Sequence, residues 1–183
     1  VPAPNAILAK LKSMMGGPHL SSRRWIWEQY DHTVMGDTIQ RPGGDAAVVR
    51  VHGTKKGIAA TCDVTPRYVL ADPVMGTKQA VVETWRNLVC VGADPIAITD
   101  NMNFGNPERP EIMAQLVESI EGLAEACEAF RVPVTGGNVS LYNETLGTPI
   151  FPSPVIGIVG LLDTREPVGI AFRGPGRSIV LLG

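Results

Sequence analysis

A chain of 183 residues with a net charge of −2 has room for one good core, at most one and a half domains, and lacks the basic excess that would draw it to nucleic acid or an anionic membrane. Its hydrophobic content of 44% fits a globular protein, no apolar run reaches the length that spans a bilayer, and no secretory signal opens the chain. Three scattered cysteines, Cys62, Cys90 and Cys127, without a Cys-x-x-Cys pair, argue against a disulfide scaffold and a zinc knuckle and point to a reducing cytoplasm.

Residues 1–24 are rich in Pro, Gly and Met and read as a linker, with one short helix at Ala6 to Met15. Trp25 to Arg41 is irregular, and "YDHTVMGDTIQ" within it suggests an extended segment. "DAAVVRVH", Asp45 to His52, predicts a strand. "GTKKG" supplies the turn to an antiparallel partner, "GIAATCD", Gly57 to Asp63. Thr77 to Val91 carries Ala80, Val81, Trp85, Leu88 and Val89 at helical spacing, with Thr77 as N-cap and Gly92 closing the end. "PIAITD", Pro95 to Asp100, is a short buried strand. Pro110 to Arg131 is the strongest helix, its apolar stripe running from Ile112 through Met113, Leu116, Val117 and Ile120 to Phe130. "VPVTGGNVSLY" returns as a strand, and "PVIGIVGLL", Pro154 to Leu162, is another. From Asp163 a Gly/Pro-rich connector leads to a last strand, "SIVLLG", at Gly183. That ending, and a start at Val1 without Met, suggest a piece of a longer protein whose next domain begins at 163–183. The order β, β, α, β, α, β, β predicts an α+β domain over 25–162, with a mixed sheet and helices on one face.

Four constellations offer chemistry. Asp45 follows two glycines at a strand mouth, which suits either a hard ligand for Mg²⁺ or a turn bonded to its own backbone. Glu83 and Asn87 share one helix face, and Asp63 could join them if the sheet permits; a solvated polar face is the alternative. "ITDNMNFGNPERPE" runs a buried strand into Asp100 and then three asparagines, at the strand end where ligands sit in α/β arrangements, or else simply enters a helix. In "VTGGNVSLYNET", Gly136 and Gly137 admit close backbone approach to a phosphate. Strand alternation there puts Asn138 and Ser140 on one face, with Val139 and Leu141 facing the core.

"WEQYDHTV", "RPGGDAAV", "ETWRNLVCVGADPIAITDNMNFGNPE", "VTGGNVSLYNET" and "PSPVIGIVGLL" together resemble the PurL family, the synthetase subunit of phosphoribosylformylglycinamidine synthase. That family belongs to the superfamily of aminoimidazole ribonucleotide (AIR) synthetase, PurM. The resemblance covers about Trp25 to Leu162 and implies the PurM-like N-terminal domain of PurL's second half. It implies a ligase of purine biosynthesis that converts formylglycinamide ribonucleotide, ATP and glutamine-derived ammonia to the amidine. PurQ-type glutaminase and PurS-type subunits, and the remaining PurL domains, are the implied partners. The implied site residues are Asp100 and Gly137 for ATP, Asn138 for Mg²⁺ and Ser140 for the substrate. Asp45, Asp63, Glu83 and Asn87 match an auxiliary Mg²⁺ and nucleotide site able to hold ADP. The family's catalytic histidines belong to its first half; the corresponding "TCDVTPRYV" has none, so this chain alone is expected to be inactive. The reading requires Asp100, Asn138 and Ser140 to lie together and face one way. A structural nucleotide-binding module of the same enzyme is the alternative.

Overall fold

The structure is a computed structural model that describes residues 5–163 and 166–181. The outermost ends of the expected linker and last strand, residues 1–4 and 182–183, lie outside the described residues, as do residues 164–165 of the connector.

The helices are α1 (Ile7–Met15), α2 (Arg24–Trp27), α3 (Pro66–Ala71), α4 (Pro73–Cys90) and α5 (Pro110–Phe130). The strands are β1 (Thr38–Gln40), β2 (Ala47–Arg50), β3 (Gly57–Asp63), β4 (Asp94–Asn103), β5 (Val134–Ser140), β6 (Glu144–Thr145), β7 (Thr148–Pro149) and β8 (Ser153–Leu162). Six strands form one sheet in the order β1-β2-β3-β8-β4-β5, and β6 and β7 form a separate ribbon. Within the sheet only β4 and β5 run parallel, joined by the crossover helix α5. This is the expected α+β architecture with a mixed sheet.

Alternation decides which face is covered. Pro154, Ile156, Ile158 and Leu162 of β8 are buried, while Val155, Val159 and Leu161 are half-buried. Ile156, Ile158 and Leu162 pack with Val48, Ala59 and Ile98 from the other strands and with Val81, Leu88, Leu123, Ala126 and Cys127 from α4 and α5. Helices therefore lie on one face of the sheet. On the other, Val49 and Ile58 stand 40% exposed.

Three local expectations change. α4 begins at Pro73, not at Thr77. Asp72 caps it, its carboxylate accepting from the Met75 amide at 2.9 Å, and Pro73 occupies the first turn. Thr77 is buried inside the helix. Second, β4 continues three residues past Asp100, so Asn101 and Asn103 belong to the strand and not to a loop. Third, residues 178–181 form no strand; Ile179, Val180 and Leu181 are all exposed, and a strand needs a neighbouring backbone to pair with.

The α5 stripe is wider than the face it buries. Met113, Val117 and Ile120 are exposed, whereas Ser119, Gly122 and Ala126 are buried. Close packing of α4 on α5 selects these small residues: a Cβ on Gly122 would fall 2.4 Å from the Val74 carbonyl oxygen. Among the described residues no helix is long and apolar enough to cross a membrane.

Candidate functional site

The parallel pair β4/β5 sets the site. Its register places Asp100 beside Gly137, Asn101 beside Asn138, Met102 beside Val139 and Asn103 beside Ser140. Paired residues share a face, so the strip divides in two. Asp100 has the parity of the buried Ile98 and Met102 and turns toward α5. Two further features accord with this parity. A Cβ on Gly137 would meet both Asp100 carboxylate oxygens at 2.5 Å, and the Asp100 charge acts on the Cys127 thiol of α5. Burial raises the Asp100 carboxyl above the usual carboxylate range, partly offset by its own backbone amide. Burial, and then the Asp100 charge, likewise push the Cys127 thiol up.

Asn138 and Ser140 face the opposite way. The Asn138 amide donates to the Asn101 side-chain oxygen at 3.3 Å. Asn103 donates to the carbonyls of Asn101 and Ser153 at 2.8 and 3.2 Å. The requirement that Asp100, Asn138 and Ser140 lie together and face one way is met only in its first half: they lie together along the β4/β5 edge, but Asp100 faces the helices and Asn138 and Ser140 the opposite side, so one pocket on one face is ruled out and only a ligand that crosses the edge could touch all three. A second correction concerns Val139, which is 57% exposed; β5 ends the sheet and only Leu141, just beyond it, packs on the cluster of Met102, Phe104 and Ile112.

The strand ends are laced together. The Phe104 amide donates to the Ser140 carbonyl at 3.0 Å, Tyr142 to Gly105 at 2.9 Å, and Asn143 to Phe104 at 3.1 Å. The Glu144 carboxylate accepts from the Asn106 amide at 3.1 Å and lies 3.6 Å from Arg109. Asn143 adds three side-chain contacts, to the Phe104 carbonyl, the Ser140 carbonyl and the Ser140 hydroxyl. Asn143 and Glu144 stand in the stretch "VTGGNVSLYNET", but the sequence assigns neither of them a role in the site. An amide three residues after a serine, in a loop of Tyr and Asn, was the available signal.

The second constellation assembles in part. The Asn87 amide donates to the Asp63 carboxylate at 2.7 Å. Burial, and then the nearby Glu83 charge, raise the Asp63 carboxyl to about 6, with the Asn87 bond opposing them. Glu83 and Asn87 line a cavity of about 520 Å³ beside Tyr68, Lys78 and Arg86. Asp45 stands apart. Continuing the β2/β3 register sets it across from Cys62, yet among the described residues its carboxylate bonds to none of the three.

The Mg²⁺ fit differs between the two places. On the Asn138 face the nearby ligands are neutral amide oxygens, which suit a cation arriving with phosphate oxygens of its own. At Asp63 and Glu83, a half-buried carboxylate is repelled by an exposed one, the condition a cation relieves. Among the described residues no group of three or more His, Cys, Asp or Glu could hold a metal ion.

Residues 43–162 match the family model described as AIR synthase related protein, N-terminal domain. The chain belongs to this family. PurL, the phosphoribosylformylglycinamidine synthase subunit of Parvibaculum lavamentivorans, is 61% identical over 184 residues, spanning 100% of this chain and 25% of that protein. The chain therefore spans about a quarter of the length of the curated relatives it matches. The structure of PurLQS from Thermotoga maritima superposes with a TM-score of 0.75 at 37% identity, covering 80% of this chain and 25% of that one. T. maritima PurL complexed with ATP gives 0.69 at 38% identity, covering 78% and 23%. The expected AIR synthase-like fold and the resemblance to PurL both stand.

Proposed function

We propose that this AIR synthase-related domain is one wall of the composite site of an ATP-dependent amidoligase of purine biosynthesis. The reaction joins ammonia, drawn from glutamine, to formylglycinamide ribonucleotide at the expense of ATP. The observation that supports the reading most is the edge of β5, which no other strand among the described residues covers. Gly136 and Gly137 give that edge no side chains, so a ligand crossing it reaches Asp100 on one side and Asn138 with Ser140 on the other. A carboxylate repels phosphates, so Asp100 suits the N–H and O–H donors of an adenosine. Asn138 donates one amide proton to Asn101 and keeps its oxygen available to Mg²⁺, which would neutralise charge on the transferred phosphoryl group. Ser140 would touch the nucleotide substrate. The chain supplies no histidine at the end of β3, so the acid–base group belongs to another part of the enzyme. PurQ- and PurS-type partners and a cytoplasmic setting follow from the same reading.

Asn138→Ala tests it in the full-length enzyme. kcat/KM is expected to fall tenfold or more while the melting temperature moves by no more than about 1 °C. A kcat/KM within twofold of the parent would remove Asn138 from the site.

Asp63, Glu83 and Asn87 favour a second, additional role: holding a structural Mg²⁺ nucleotide such as ADP. Asp63 has its carboxyl raised in the folded state, so folding favours its neutral form. Its contribution to stability is then greatest below about pH 4 and is lost as pH rises through about 6. Asp63→Asn removes this penalty. Solvent screening limits the gain to about 1 kcal/mol, or roughly 2–4 °C in Tm, at pH 8, with none below pH 4. Millimolar Mg²⁺ with ADP should raise the Tm of the parent at pH 8 but not that of Asp63→Asn. Equal Mg·ADP shifts in both proteins would sink this role.

A further inference from the structure

The contacts of Asn143 settle more than the shape of a loop, because a side-chain amide has only two protons. Three acceptors lie within reach of its Nδ2: the Ser140 carbonyl at 2.9 Å, the Phe104 carbonyl at 3.0 Å and the Ser140 Oγ at 3.1 Å. Carbonyl oxygens can only accept. Each of these two already takes one backbone donor, Phe104 N on Ser140 O and Asn143 N on Phe104 O, and has one lone pair left for Asn143. Turning the amide over would press its oxygen against both carbonyls, so the orientation is chemically fixed. Both protons therefore go to the carbonyls. The hydroxyl of Ser140 then has Asn143 Oδ1, 3.3 Å away, as its acceptor among the described residues.

We propose that Asn143 is a positioning residue that makes Ser140 a hydrogen-bond acceptor: with its proton committed, the Ser140 Oγ recognises an uncharged donor on the nucleotide substrate, a sugar hydroxyl or an amide N–H, and not a phosphate oxygen. The inference rests on the reading of Ser140 as a substrate contact. It adds the polarity of that contact and the residue that sets it. Ser140 is half-buried at the end of β5, so the lone pairs left on Oγ face the open side of the sheet together with Asn138. A phosphate monoester near neutral pH is mostly dianionic and presents chiefly acceptors, a poor match for these lone pairs.

The test uses the full-length synthetase and three ligands: the nucleotide substrate, its deoxyribose analogues, and the dephosphorylated nucleoside as competitive inhibitor. Ser140→Ala should raise KM for the substrate about tenfold with KM for ATP within twofold, and Ser140→Thr should restore most of it. Asn143→Ala should raise the same KM by a similar factor, and the double variant should be no worse than the poorer single one. On the dephosphorylated nucleoside the Ser140→Ala loss should persist. On one deoxy analogue it should vanish if a sugar hydroxyl is the donor; persistence on every deoxy analogue assigns the amide N–H. A Ser140→Ala variant with unchanged KM for the substrate overturns the substrate-contact reading and the inference together. Loss of the Ser140→Ala effect on the dephosphorylated nucleoside, or additive effects of the two substitutions, overturns the inference alone. If Asn143→Ala does not fold, the ligand series on Ser140→Ala decides by itself.

Discussion

Replacing Gly76 by Ala is expected to destabilise the protein by about 2–3 kcal/mol and lower its Tm by about 5–10 °C. By intrinsic propensity the opposite would be expected, because Ala in a helix interior is favoured over Gly by about 1 kcal/mol. Gly76 lies in the first turn of α4, where the chain has just reversed from α3 through Asp72. A Cβ there would sit 2.4 Å from the Val69 nitrogen, 2.5 Å from its Cα and 2.6 Å from the Tyr68 carbonyl carbon. These are backbone atoms of α3 and cannot step aside as the end of a side chain can. Relief requires the two helices to part, which unseats Val69, fully buried in the core. Gly136→Ala is the control: its Cβ would meet nothing within 4 Å, and its melting temperature should stay within about 1 °C of the parent. Thermal unfolding of the two variants side by side decides the matter, and a Gly76→Ala variant as stable as the parent would show that α3 is not packed where the structure puts it.

The same residue shows why part of the fold could not be read from the sequence. β3, β8 and α5 were legible because each is long and strongly patterned, and Pro110 marks the start of α5. α4 was legible in its middle but not at its start. "DPVMG" contains a cap and a first-turn proline, yet Gly76 reads as a breaker unless the approach of α3 is known. α3 and β1, six and three residues long, have too few positions for a period to show. The insertion of β8 between β3 and β4 depends on long-range pairing that no local pattern encodes.

For the proposed site, the sequence offers candidate residues but not their geometry. Strand parity alone holds the correction for Asp100. Ile98, Asp100 and Met102 alternate with Thr99, Asn101 and Asn103, so the carboxylate goes with the apolar set toward the helices. Ending the strand at Asp100 hid that parity. Asp63 meeting Asn87 was anticipated from helix spacing with the sheet as a condition, and that condition is met. The Asn143 clamp needed the turn that brings residue 143 back over Phe104, which local spacing does not reveal.

Gly137→Ala is expected to lower kcat/KM of the full-length enzyme about 100-fold while leaving Tm nearly unchanged. The added methyl would overlap both Asp100 carboxylate oxygens at 2.5 Å. Here, unlike at Gly76, the obstacle is the end of a side chain. Asp100 can rotate away at small energetic cost, and β5 is an exposed edge that contributes little burial. Stability therefore survives. Function does not, because the rotation takes the carboxylate off the edge that a nucleotide would cross, and the methyl itself fills the gap through which it would be reached. Displacements of about 1 Å in a positioned group suffice for a loss of this size. The mechanism predicts a specific non-additivity: once Gly137→Ala has displaced the carboxylate, Asp100→Asn should add less than twofold, although alone it should be severe. Measured rates for the two single variants and the double one distinguish this from a general loosening of β5, under which the effects would multiply. A Gly137→Ala enzyme within threefold of the parent would mean that nothing reaches Asp100 across this strand, and the nucleotide would have to be sought on the Asn138 side alone.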